Sequence, residues 1–220
     1  MMKKILCLVL ACLLLSLSLV SCGLLPVALT SFGKKDKNLK KVNLVDEKTD
    51  YVAIQVEDYG TIVVHLRSDV APITVANFQK LVSEKFYDGL IFHRVIEGFM
   101  IQGGDPKGNG TGGSKENIKG EFSANGVDNT LSHKRGVISM ARQGENPYTG
   151  EMNYDSASSQ FFICHQDSVF LDGQYASFGE VVYGMEVVDA IAAVSTNSND
   201  KPLQNVVISS IQFATLKDAQ

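Results

Sequence analysis

Cysteine is scarce where it would matter for a secreted or oxidised fold. Of four cysteines, Cys7 and Cys12 fall inside an N-terminal apolar run, Cys22 closes it, and only Cys164 stands beyond it. One thiol makes no internal bridge, so a disulfide framework is excluded for the body of the chain. Cys164 follows Phe161-Phe162-Ile163 and reads as a small buried hydrophobe rather than a nucleophile. Clusters of His, Cys, Asp and Glu at metal-ligand spacing are missing, as are a G-x-S-x-G elbow and a Cys/His hydrolase signature. Neither a metal nor a cofactor is therefore expected. Basic charge is also short. From residue 51 onward Asp and Glu outnumber Lys and Arg, which argues against nucleic acid as a partner, since phosphate contacts need a basic footprint.

What is present is an ordinary globular composition, 45% hydrophobic and 20% charged over 220 residues, enough for one domain with appendages. The first appendage is the N-terminus. Lys3 and Lys4 precede an uncharged apolar run from Ile5 to Val20, the layout of an export signal. Its end, Leu19-Val20-Ser21-Cys22, resembles a bacterial lipobox, which implies removal of residues 1–21 and lipidation at Cys22. Plain export without a lipid and an uncleaved helical anchor are the alternatives, the run being close to membrane-spanning length. The expected location is extracytoplasmic, with the chain held on the bacterial cell membrane by acyl chains. Residues 22–50 lack a sustained periodic pattern and are locally basic, so they read as a solvated tether that lets the domain range roughly 30 Å from its anchor.

From residue 51 the patterning becomes regular. Val52, Ile54 and Val56 alternate with polar or small residues, Gly60 marks a turn, and Ile62, Val64 and Leu66 resume the alternation, which predicts a β-hairpin. Pro72 opens a helical face of Val75, Phe78, Leu81 and Val82 ending near Glu84. Short strands are expected at about 91–96, 99–102 and 137–140, a second amphipathic helix after Gly184, and a closing strand over Val206 to Phe213. Gly108, Gly110 and Gly113 formally satisfy the dinucleotide fingerprint. The polar stretch from Ser114 to Gly120 provides no helix to follow it, so the glycines read as a loop whose backbone lies close to a ligand.

The informative stretch is F-H-R-V-I-E-G-F-M-I-Q-G-G-D, from Phe92 to Asp105, which sets the permanent cation Arg94 among Val95, Ile96, Phe99, Met100 and Ile101. An unpaired charge is costly to bury, so Arg94 either faces water from an ordinary strand or works in an apolar groove. His93, one residue away, should point to the other face and reads as structural. Together with Tyr87, Leu90, Gln102 and Gly104, this stretch resembles the signature of the cyclophilin peptidyl-prolyl isomerases. The likeness continues in Asn109 to Gly113, in Glu121-Phe122 as a strand, in Ser158 to Ile163, in Phe170-Leu171-Asp172-Gly173 and in Phe178-Gly179, and covers essentially residues 51 to 213. Three features depart from it. Phe170 and Tyr175 stand where the best-known eukaryotic members carry tryptophan and histidine, and the segment from Gln143 to Asp155 is several residues longer than usual.

The resemblance implies a fold dominated by β-structure, a closed eight-stranded antiparallel barrel capped by two α-helices, over residues 51–220. It further implies a monomer that rotates X-Pro bonds in proline-containing polypeptides. Arg94 would be the catalytic donor, and Phe99, Met100, Phe162 and Leu171 the proline pocket. Gln102 would hold the substrate carbonyl or Arg94 itself, Gly110 would lie beside the peptide, and Ala141 would pair with its backbone. Phe170 and Tyr175 would close the rim. The site lacks an evident acid/base pair, and a guanidinium does not deprotonate in proteins, which suits amide twisting better than hydrolysis. A tethered chaperone or scaffold that binds proline-containing segments without turnover is the rival reading. A solute-binding lipoprotein fits less well, because no two-domain α/β pattern is present.

Overall fold

The computed structural model describes residues 41–217. The apolar run, the lipobox and Cys22 lie outside the described residues. Ten strands and two helices follow in order: β1 (Lys41–Val45), β2 (Tyr51–Val56), β3 (Gly60–Leu66), α1 (Pro72–Ser83), β4 (Ile91–Phe92), β5 (Arg94–Ile96), β6 (Met100–Gly103), β7 (Val137–Met140), β8 (Phe161–Cys164), β9 (Ser177–Tyr183), α2 (Met185–Ala192) and β10 (Val206–Lys217). All pairings are antiparallel. Among the described residues no helix is long and apolar enough to cross a membrane.

The strands run β1-β10-β2-β3-β9-β7-β8-β6-β5, with β4 pairing β10 off this path. The ladders therefore make an open order of ten strands, not the closed ring of eight that the resemblance implied. Two local features account for the difference. β1 is added at one edge, and the segment from Ile91 to Ile96 breaks at His93 into two strands with different neighbours, β4 on β10 and β5 on β6. A register shift between Ile208 and Ser210 lets the long β10 serve β4 at one end and β2 and β1 further on.

Strand β1 also moves the start of the folded body ahead of residue 51, into the stretch read as tether. Its five residues pair with Phe213 to Lys217. Val42 and Leu44 pack on a small buried cluster of Ala53, Val63 and Ala214, on the side of the sheet away from the main core. Five residues flanked by lysines and aspartate are too few to show a strand period, and the pairing partner lies far along the chain. Strands β8 and β9 likewise lie outside the strands that the sequence pattern predicts.

The main core forms where the alternation predicts. Val52, Ile54, Ile62, Val64 and Leu66 join the helix residues Val75, Phe78, Leu81, Val188 and Ile191 in one buried cluster. Phe78 meets Tyr87, Phe161 and Phe178 with ring centroids 5.1, 5.7 and 5.2 Å apart, spacings at which aromatic pairs are favourable. Gly104 has φ +82, and a Cβ there would collide with the Ser159 carbonyl; only glycine lets the chain leaving β6 pass so close to the approach to β8.

Helix α1 has no side-chain cap from its own N-terminal residue, Ala71. Glu121 supplies one from 47 residues away. Its carboxylate accepts the N–H of Ile73 at 3.0 Å, the N–H of Thr74 at 2.7 Å and the Thr74 hydroxyl at 2.6 Å, and it is 2% exposed. Glu121-Phe122 thus does not form the expected strand; the pair is buried beneath the helix start and leads into a 3-10 turn, Ser123–Asn125. Replacing this carboxylate leaves orphan N–H donors at the positive end of the helix dipole. Glu121→Ala should lower unfolding free energy by about 2 kcal/mol, the scale of a charge-assisted bond. A chemical-denaturation difference under roughly 0.5 kcal/mol would show that the cap contributes little.

Candidate active site

The strip β5-β6-β8-β7 separates core from site by simple alternation. On one face Val95, Ile101, Ile163 and Ile138 lie in register and belong to the main core. On the other face the rows are Arg94, Gln102, Phe162, Ser139 and Ile96, Met100, Cys164. There a second apolar cluster forms, of Met100, Phe162, Cys164 and Leu171, with Ile96, Phe99, Ala141 and Tyr175 packed against it. The four residues expected to form the pocket, Phe99, Met100, Phe162 and Leu171, are thus brought together across three chain segments. Tyr175 meets Phe162 edge-on at 6.0 Å. Phe170 is 70% exposed and rests on Phe99 at 5.6 Å, so it extends the rim outward rather than closing the pocket.

Burial lifts the Cys164 thiol to about 12, with Asp172 adding to the effect. A thiol that does not ionise at neutral pH is no nucleophile, in line with its place in the apolar cluster.

The polar half of the site lies beside this cluster. Gln102 donates to the Gln160 side chain at 2.9 Å, and Gln160 donates to the carbonyls of Gly110 at 3.1 Å and Gly112 at 2.7 Å. Gln102 therefore holds Gln160 and not Arg94, whose guanidinium Nε donates to Asp200 at 3.2 Å. Gln160 lies within the Ser158 to Ile163 stretch, and no local pattern marks it, because its importance lies in joining chain segments far apart in sequence. A cavity of about 400 Å³ opens here, lined by Gln102, Gly110, Ala141, Arg142, Gln143 and Gln160 among others. The Ala141 N–H is already given to the Gln160 carbonyl at 2.9 Å, so backbone pairing with a peptide would fall to the Ala141 carbonyl.

Asp105 shapes the glycine loop. Its carboxylate accepts the N–H groups of Lys107, Asn109 and Gly110 at 2.8, 3.0 and 2.6 Å. Burial works to raise its pKa, yet these bonds outweigh it and hold the group below the usual carboxylate range.

The long segment from Gln143 to Asp155 is anchored at its root. The Arg142 guanidinium lies 4.8 Å from the Tyr175 ring, 5.2 Å from Tyr154 and 5.6 Å from Phe122, and donates to the Gln174 and Gln143 carbonyls. The segment then turns between Asn146 and Glu151 and carries Tyr148, 96% exposed, at its tip.

Beneath the pocket, buried His133 links three of its supports. Its Nδ1 lies 2.8 Å from Asp172, its Nε2 3.0 Å from the Ser139 hydroxyl, and its ring stacks on Phe162 at 6.0 Å. His93 is also buried, at 5% exposure, but neither ring nitrogen has a hydrogen-bond partner among the described residues. Burial lowers the pKa of both histidines; Asp172 opposes this at His133, and Asp105 opposes it at His93 while Lys201 and Arg94 reinforce it. A depressed folded-state pKa means that the unfolded chain binds the proton more readily. The contribution of the two histidines is then fully present above about pH 6.5 and lost as pH falls through their lower folded values. Thermal midpoints should drop between pH 7.5 and 5.5, and the drop should shrink in His93→Gln; an unchanged drop would remove His93 as a source.

Comparison with known proteins agrees with this geometry. Residues 51–213 match the family model for cyclophilin type peptidyl-prolyl cis-trans isomerases. Peptidyl-prolyl cis-trans isomerase B of Bacillus subtilis is 45% identical over 139 residues, covering 63% of this chain and 87% of that protein. Peptidyl-prolyl cis-trans isomerase ppi1 of Schizosaccharomyces pombe is 40% identical over 150 residues, covering 68% and 90%. The chain also matches peptidyl-prolyl cis-trans isomerase-like 2 of Rhizopus delemar at 39% identity, over 76% of this chain, but spans only 29% of that longer protein. The crystal structure of a Cryptosporidium parvum cyclophilin type isomerase superposes with a TM-score of 0.66 at 30% identity, covering 74% of this chain and 96% of that one. A second structure of that protein, in the presence of the dipeptide Ala-Pro, superposes with a TM-score of 0.65. The match of residues 51–213 to the family model, with relatives 40% and 45% identical that are covered to 90% and 87%, places the chain in the cyclophilin-type peptidyl-prolyl cis-trans isomerase family.

Proposed function

We propose that this chain rotates X-Pro bonds in exported polypeptides while anchored to the outer face of a bacterial membrane through lipid on Cys22. The observation that carries the catalytic part is the separate apolar cluster of Met100, Phe162 and Leu171 with Phe99 on the Arg94 face of the sheet. Such a surface suits a prolyl ring, and the structure of the Cryptosporidium relative in the presence of the dipeptide Ala-Pro supports the same class of ligand.

The chemistry follows from the amide. Resonance opposes rotation by about 18–20 kcal/mol and makes unaided X-Pro isomerisation take tens to hundreds of seconds. Twisting the bond localises the lone pair on the prolyl nitrogen. A guanidinium donor aimed at that nitrogen favours the twisted form over the planar one, which is selective stabilisation of the transition state. The apolar wall removes water that would otherwise favour the polar planar amide. Gln102, held by Gln160, and the Ala141 carbonyl would align the flanking peptide. Reaching the millisecond range requires roughly five decades, or about 7 kcal/mol. One charge-assisted hydrogen bond together with desolvation is of that order.

Arg94→Ala should lower isomerase activity on a proline-containing peptide by about two decades or more without changing the fold. Equal rates for variant and parent would take Arg94 out of the mechanism, and refolding assistance retained by an inactive Arg94→Ala protein would favour the holding role instead. For the anchor, Cys22→Ser should shift the chain from the membrane fraction to the soluble extracytoplasmic fraction. Unchanged membrane retention would point to an uncleaved helix.

A further inference from the structure

We infer that Asp200 is a positioning residue for Arg94, an inference that rests on the reading of Arg94 as the catalytic donor. Asp200 lies 106 residues further along the chain, and its Oδ2 accepts the Arg94 Nε hydrogen at 3.2 Å. No other hydrogen bond engages the guanidinium among the described residues, so the two terminal nitrogens stay available while the Nε side is held. In a rigid planar fork, fixing Nε restricts the directions in which the remaining donors point.

The turn that carries Asp200 is built tightly. Asp200 itself has φ +60, a left-handed backbone that Asp and Asn tolerate better than most side chains. Its N–H donates to the Asn197 carbonyl at 3.0 Å, while the Asn197 side chain accepts the N–H groups of Asn199 and Lys201 at 2.9 and 3.1 Å. A bridge between Thr196 and Pro202 closes the turn. Two contacts then dock it on the site. The Asp200 carbonyl accepts the N–H of Val95, the residue after Arg94, at 2.8 Å, and Lys201 Nζ donates to the Gly108 carbonyl at 3.0 Å. One turn therefore grips both the strand of Arg94 and the loop that leads to Gly110.

Stability does not account for this construction. The Arg94 and Asp200 side chains are 44% and 41% exposed, and exposed ion pairs contribute little. A carboxylate held by a strained turn against one edge of the reactive guanidinium is instead a means of orientation.

The test compares the full chain with Asp200→Gly, which keeps the left-handed backbone and removes the carboxylate, and with Asp200→Asn, which keeps the turn and the shape but removes the charge. Both should retain a near-parent thermal midpoint, lose about tenfold in kcat and hold KM within about twofold, because the interaction acts in the transition state. In an Arg94→Ala background, Asp200→Gly should change the rate no further. Parent kcat in both Asp200 variants, with Arg94→Ala inactive, would overturn the positioning role alone. A further loss in the Arg94→Ala background would mean that Asp200 acts through the fold, and would overturn it as well. Parent activity in Arg94→Ala would overturn the catalytic reading and this inference with it.

Discussion

The alternation of side chains across β5, β6, β8 and β7 is the constraint on which the rest of this molecule depends. Val95, Ile101, Ile163 and Ile138 point into the main core, so Arg94, Gln102, Phe162 and Met100 point the other way. Core packing thereby sets the position of the site. A slip of one residue in any of these ladders would exchange the two faces, burying a guanidinium and exposing four branched aliphatic side chains. The same hydrophobic free energy that specifies the fold therefore specifies where Arg94 and the second apolar cluster lie.

Loops around the sheet are held by carboxylates, and all of these but Asp105 reach across long stretches of chain. Glu121 caps α1, Asp105 gathers the glycine loop, Asp172 accepts from Ser132 and His133 under Leu171, and Asp200 meets Arg94. The described part of the chain has one cysteine and it is free and buried, so cross-links of this polar kind take the place that disulfides occupy in disulfide-bonded domains. A carboxylate accepting several backbone donors is strong because each bond is charge-assisted, and several such groups here surround the site. The acidity of the domain is in this way partly architectural.

Much of this was legible in the linear sequence, for a physical reason. Elements set by local periodicity are written in their own residues: the hairpin from Tyr51 to Leu66, the helix opened by Pro72, the helix after Gly184 and the short strand at Val137 all stand where alternation or helical spacing places them. That Phe99, Met100, Phe162 and Leu171 gather in one place was legible through a spaced signature rather than through periodicity, since aromatic and apolar residues alone do not show which cluster they join.

Tertiary structure decided what depends on partners far apart in the chain. Strand β1 exists because β10 offers it an edge and Ala53, Val63 and Ala214 offer its apolar residues a surface, neither of which shows in five residues of sequence. The break at His93, the outward turn of Phe170, the link from Gln102 to Gln160 and the pairing of Arg94 with Asp200 are of the same kind. Sequence alone determined which side chains could share a face, because the two-residue period of a strand is local. Which of those faces meets which loop, and so which carboxylate meets Arg94, was decided only by closing the chain over separations of a hundred residues, where no local period carries information.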